Sequence, residues 1–140
     1  MNQSIKSAAF SLKGYRFDKV QMDLSSLRPD SEYGLSIQPE GVYHPTTGVF
    51  DLHFLFVANI EGAPVISINC ISQFAFNSII PLSEIPEYFY ANSIAIIFPY
   101  IRAFVSTVTL QSNVLPLIIP TLNLSSLQKQ LADNTVAVDE

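Results

Sequence analysis

Asp51 and His53 stand two residues apart in an alternating segment, so a strand would present both on one face, with His44 not far away in sequence. Two such ligands could begin a metal site, but zinc takes three or four together with groups that orient them, and nothing else here supplies those. A solvated strand face is the reading, and no metal is expected. Glu84 and Glu87 lie at helical spacing and could pair as acid and base, yet acids near a helix start belong there for dipole reasons. Cys70, the single cysteine, excludes an internal disulfide and sits in an apolar alternating run as a small buried hydrophobe. The glycines, at 14, 34, 41, 48 and 62, form neither a phosphate-cradling loop nor a Gly-x-Ser-x-Gly elbow. Neither catalysis nor a cofactor is expected, so any chemistry must be that of a surface.

Composition points the same way. Charged residues make up 14% of the 140, against roughly 25% in an average soluble domain, while 49% are hydrophobic and the mean hydropathy is +0.31. One domain is expected at this length, and a domain so small has too much surface to hide so many apolar side chains alone. Subunits or a partner must cover the rest. The net charge is −5, and the basic residues form no cluster beyond the strand pattern Lys13, Arg16, Lys19, so nucleic-acid binding is not expected. A membrane span needs ~20 apolar residues; the greasiest run, 94–108, is shorter and carries Arg102. The first ten residues lack the apolar stretch of a signal peptide. The chain reads as a soluble cytoplasmic protein.

The elements follow from periodicity. Residues 7–24 alternate, but the apolar parity runs Ala8, Phe10, Leu12, then Tyr15, Phe17, then Val20, Met22, Leu24. Because period 2 fixes the face of every strand residue, such a strand must bulge or twist near Gly14 and near Asp18 and Lys19. Residues 33–39 make a second strand, and 49–60 a third with Phe50, Leu52, Phe54, Phe56, Ala58 and Ile60 on one face. Residues 65–77 make a fourth, joined to the third as a hairpin through Glu61-Gly62-Ala63-Pro64. Ile94, Ile97, Phe98, Ile101, Val105 and Val108 recur at helical spacing as one stripe, with Arg102, Ser106 and Thr109 on the other side. After a connection containing Pro116 and Pro120, Leu124, Leu127 and Leu131 mark a short amphipathic helix, which Asn123 or Ser125 could cap. The expectation is α+β: a four-stranded antiparallel sheet with a long helix packed on it and a short second helix. It forms a single domain over 1–132, with a flexible acidic tail at 133–140.

Ile97-Phe98-Pro99-Tyr100-Ile101-Arg102 resembles the Leu-Phe-Pro-Tyr-Ala-Arg segment of the SecB export chaperones. Leu117-Ile118-Ile119-Pro120-Thr121-Leu122-Asn123 is similar to that family's Leu-x-Leu-x-Pro-Val-Asn connection, and the element order agrees. Three positions depart: Ala103 replaces the family's Glu, Ser112-Asn113 the Gly after the long helix, and Asn123-Leu124-Ser125 the Asn-Phe-Asp run. The chain is therefore identified as a divergent member, of the export kind or of the SecB-like kind found beside toxin-antitoxin pairs.

The resemblance implies a homotetramer built as a dimer of dimers, and an ATP-independent holding chaperone. Its clients would be unfolded or aggregation-prone polypeptides, preproteins or an antitoxin, and the SecA motor a further partner. Candidate motor-docking acids are Asp18 and Asp23. Phe50, Phe54, Phe56, Phe74 and Phe76 on the sheet, with Tyr88, Phe89, Tyr90, Leu124, Leu127 and Leu131, are the candidate client-binding residues. Proline and arginine in an apolar helix suggest one face on the sheet and one on a subunit, making Ile97, Phe98, Pro99, Tyr100, Arg102 and Ser106 the candidate interface. The rivals are a structural or adaptor β-sheet oligomer without client-holding activity, and a small-ligand carrier with a pocket between helix and sheet.

Overall fold

A computed structural model describes residues 9–119 and 124–138. Its strands are β1 (Phe10–Met22), β2 (Gly34–His44), β3 (Val49–Ile60), β4 (Ala63–Phe76) and β5 (Thr135–Ala137). The helices are α1 (Glu87–Gln111) and α2 (Ser125–Asp133), with a single 3₁₀ turn before α1.

The sheet order is β1-β4-β3-β2-β5. The first four strands pair antiparallel, but β5 runs parallel to β2. The sheet is thus five-stranded and mixed, not four-stranded and antiparallel. The extra strand comes from the segment expected to fray as an acidic tail. Gly41 N donates to Asn134 O at 3.2 Å and Val138 N to Tyr43 O at 2.8 Å, which gives main-chain groups at the β2 edge their partners. Gly41 permits this approach: an added Cβ would run into the Phe50 ring and lie 2.6 Å from Thr135 Oγ1. β2 also runs past Pro39, because a proline without an N–H is tolerated on a strand's open side.

The parity changes in β1 are bulges. Its register against β4 slips between Leu12 and Gly14 and again between Phe17 and Lys19. Each slip adds one residue, so Phe10, Leu12, Tyr15, Phe17, Val20 and Met22 all pair with the inward row of β4, from Phe76 to Ile66. That row and the inward row of β3, Phe50, Leu52, Phe54, Phe56 and Ala58, are buried.

α1 lies across this face with Phe89, Tyr90, Ser93, Ile94, Ile97, Phe98, Ile101, Val105 and Thr109 buried. Helical spacing carries the stripe one turn beyond its expected start. Phe89 anchors it, its ring 4.7 Å from those of Phe10 and Phe50 and 4.8 Å from Phe76. Full burial of such a side chain contributes about 1.5–3 kcal/mol, and an edge-to-face ring pair about 0.5–1.5 more. Along β1, Tyr15 meets Tyr100 at 4.5 Å and Phe17 stacks on Phe104 at 4.3 Å. By length and apolarity α1 could cross a bilayer, but its buried stripe makes it the core helix of this domain.

α1 stops without glycine. Asn113 takes a φ of 63°, Asn113 N donates to Leu110 O at 3.0 Å and Val114 N to Thr109 O at 3.4 Å. Asparagine tolerates the left-handed region better than most residues, so it fills the position where the family's glycine stands. Leu124 precedes α2 without a side-chain cap, so Ser125 is its first residue and not its cap; Asn123, the other capping candidate, lies outside the described residues with Pro120, Thr121 and Leu122.

Candidate functional site

After α1 the chain turns back over the helix end. The turn is held by Thr109, which was expected on the outer face and is instead fully buried. Its Oγ1 donates within α1, to Val105 O at 2.9 Å, and accepts Leu117 N–H at 2.8 Å. Leu117 and Ile119 therefore point inward, while Leu115 and Ile118 are left 61% and 74% exposed. The far wall comes from the β1–β2 connection, Leu27, Pro29 and Tyr33. Between the walls runs a groove of about 380 Å³, lined mainly by apolar side chains together with Arg28 and Tyr33. Burial pushes the Tyr33 hydroxyl above the usual tyrosine range. A larger hollow of about 670 Å³ shares Arg28 and is lined by Ser26, Asp30, Ser31, Glu32 and Glu61 together with Ile60 and Ala63. Its three carboxylates, Asp30, Glu32 and Glu61, hold water, so the smaller groove with one charged residue is the better host for apolar chain.

The outward side of α1 is a second apolar surface. Glu87 and Arg102 are the only charges in its 25 residues. Ala95, Ile96, Pro99, Ala103 and Leu110 face out, and Tyr100, its ring against Tyr15 of β1, is exposed at the edge of this face. Pro99 removes one helical hydrogen bond, and placing it on the exposed side lets the freed carbonyl of Ala95 find water or a partner.

The sequence candidates distribute as follows. Phe50, Phe54, Phe56, Phe74, Phe89 and Leu131 are fully buried, and Phe76, Tyr90 and Leu127 nearly so. They form the core between sheet and helices. Tyr88, 47% exposed, is the member of the aromatic triplet that faces out, since consecutive helical residues are about 100° apart; Leu124 is half-buried. Of the interface candidates, Ile97 and Phe98 are in the core, Pro99 and Tyr100 are exposed, and Arg102 and Ser106 are half-buried. Asp18 occupies the second bulge and accepts from Asn69 Nδ2 at 2.7 Å. Asp23 lies past the end of β1, where its carboxylate accepts from Ser25 N at 3.1 Å and Ser25 Oγ at 2.6 Å. These bonds hold its pKa below the usual carboxylate range. The two acids thus serve local structure separately.

Asp51 does not work with His53. It bonds His44 Nε2 at 2.9 Å through Oδ2 and accepts from Gln73 Nε2 at 3.3 Å through Oδ1. Among the described residues no group of three metal-ligating side chains assembles. Burial, with a smaller contribution from Asp18, pushes the Cys70 thiol up to about 11, so it stays protonated and poorly nucleophilic.

The groove walls at Leu27, Tyr33 and Leu115 were missed in the sequence. Their signal was two proline-containing connections rich in leucine, which reads equally well as plain linker.

No protein-family model matches the chain. Over 52 residues, 37% of its length, it is 33% identical to an uncharacterised protein of Methanocaldococcus jannaschii, and the match spans 34% of that relative. Among solved structures it is similar to the Mycobacterium tuberculosis SecB-like chaperone Rv1957, determined in complex with a ChAD peptide from the Rv1956 HigA1 antitoxin. The TM-score is 0.67 at 18% sequence identity, over 86% of this chain and 92% of that one. At that identity the likeness is one of architecture: the chain has a SecB-like fold.

Proposed function

We propose that this protein is an ATP-independent holding chaperone. The observation that carries the reading is the exposed apolar groove between the connection after α1 and the β1–β2 connection, with Leu115 and Ile118 largely open to water. An extended client segment laid in it would bury its side chains against leucine, proline and tyrosine, each buried CH₂ contributing ~0.8 kcal/mol. Affinity then grows with client length and demands little sequence. Exposed Tyr88 extends the apolar surface elsewhere on the molecule. The fold shared with a chaperone solved on an antitoxin peptide supports polypeptide clients, and an antitoxin is one class alongside preproteins.

Subunit association uses the outward face of α1. A helix side with Ile96, Pro99, Tyr100 and Leu110 exposed and so few charges is not a face built for water. A tetramer of paired dimers would cover it. The same observation favours the second reading, a structural or adaptor oligomer without client activity.

Light scattering separates the two. The parent protein, at stoichiometric amounts, suppresses aggregation of a chemically unfolded client on dilution. The double variant Leu115→Ser with Ile118→Ser melts within about 0.5 kcal/mol of the parent, because both side chains are exposed, yet suppresses less. A parent that leaves aggregation unchanged rules out the chaperone and leaves the structural oligomer. Sedimentation of Tyr100→Glu tests the interface: smaller particles than the parent are expected.

A further inference from the structure

The two bulges in β1 also act on the opposite face of the sheet. In a regular strand, residues 13, 16 and 19 would alternate between faces. Each bulge inserts one residue, so Lys13, Arg16 and Lys19 all lie on the face away from the helices, where all three are exposed. Among the described residues none of the three makes an ion pair or a side-chain hydrogen bond. The acids on the same face are largely occupied: Asp18 by Asn69, and Asp51 by His44 and Gln73. Glu40 stands on β2, two strands beyond β4 and opposite His53. Lys13 and Arg16 flank a hollow of about 450 Å³ lined further by Gly14, Ile71, His53, Gln73 and Asp51, whose carboxylate is taken up by His44 and Gln73. The space over Gly14 is open, as a Cβ there would have no neighbour within 4 Å.

A chain of net charge −5 has therefore aligned three of its seven basic side chains, unpaired, along one strand of a face that mixes polar and aliphatic residues. We propose that this face docks an acidic, extended polypeptide segment, its carboxylates meeting Lys13, Arg16 and Lys19 in turn. Charge complementarity selects the partner. A nucleic acid fits less well, because phosphate binding relies on denser positive charge, and Asp18, Glu40 and Asp51 would face its backbone. The inference is independent of the holding reading, as it concerns the other side of the sheet from the helices.

The test is fluorescence anisotropy on the full chain. The probe is a labelled Glu-Ser repeat peptide of about twelve residues, long enough to follow β1. A Lys-Ser peptide and an oligothymidylate of equal length are the comparisons. The Glu-Ser peptide should bind and weaken as salt shortens the Debye length from about 30 Å at 0.01 M to about 8 Å at 0.15 M. Reversing the row, with Lys13→Glu, Arg16→Glu and Lys19→Glu together, should weaken it by about tenfold or more, while aggregation suppression stays at the parent level. If the reversed chain does not fold, the neutral pair Lys13→Gln with Lys19→Gln serves instead, with a loss of about threefold expected. Equal binding by parent and variant, equal binding of the Lys-Ser peptide, or tighter binding of the oligothymidylate each overturns the proposal.

Discussion

Thr109→Val removes a hydroxyl and leaves shape and helix propensity almost unchanged. In the parent that hydroxyl accepts Leu117 N–H at 2.8 Å in a site closed to water. Valine leaves a buried donor without a partner, which costs about 1–3 kcal/mol. Thr109→Ser keeps the acceptor and loses one packed methyl, about 0.5–1.5 kcal/mol. At about 4 °C per kcal/mol for a chain of this size, valine should lower Tm by about 4–12 °C and serine by less. Amide exchange gives the local measurement. The Leu117 amide should be protected in the parent and in Thr109→Ser, and exchange faster in Thr109→Val. The groove wall carrying Leu115 and Ile118 should loosen with it. Serine costing as much as valine, or Leu117 protection unchanged by valine, would refute the claim that this bond holds the connection over α1.

Gly41→Ala should destabilise the chain by about 1–3 kcal/mol, because its methyl needs the space of the Phe50 ring and Thr135 Oγ1; calorimetry checks it, and exchange should show β5 released first. The Cys70 thiol, raised in the folded state to about 11 from 9.0, and the tyrosines at 33, 43 and 90, raised above 10.0, all shift in one direction. A raised pKa contributes stability that is fully present below the unfolded value and lost as pH climbs through the folded one. The midpoint of denaturation should therefore hold up to about pH 9 and fall towards 11, with Cys70 resisting alkylation until the chain unfolds.

Much of the fold could be read directly. The bounds of the third strand matched at 49–60, since its apolar alternation is unbroken from Phe50 to Ala58. The bulges in β1 were visible as parity changes, because a buried face cannot accept a one-residue slip without showing it. The long helix was legible from its stripe. β5 was not: three residues after a helix carry little periodic signal, and their pairing with β2 joins residues far apart in sequence.

Local pattern, then, determined which residues face together, because the 2.0 and 3.6 periods belong to the backbone and need no neighbours. The sequence by itself determined the four long strands, the core helix and the excess of apolar surface, while the alignment of Lys13, Arg16 and Lys19 came with the register of β1 against β4. Only the tertiary structure decided which apolar residues that excess comprises. Covering the sheet with α1 consumed the strand phenylalanines, and folding the connection back onto Thr109 left Leu115 and Ile118 in water. Burial is a property of what packs on top, and that is set by contacts distant in sequence, which no local window contains.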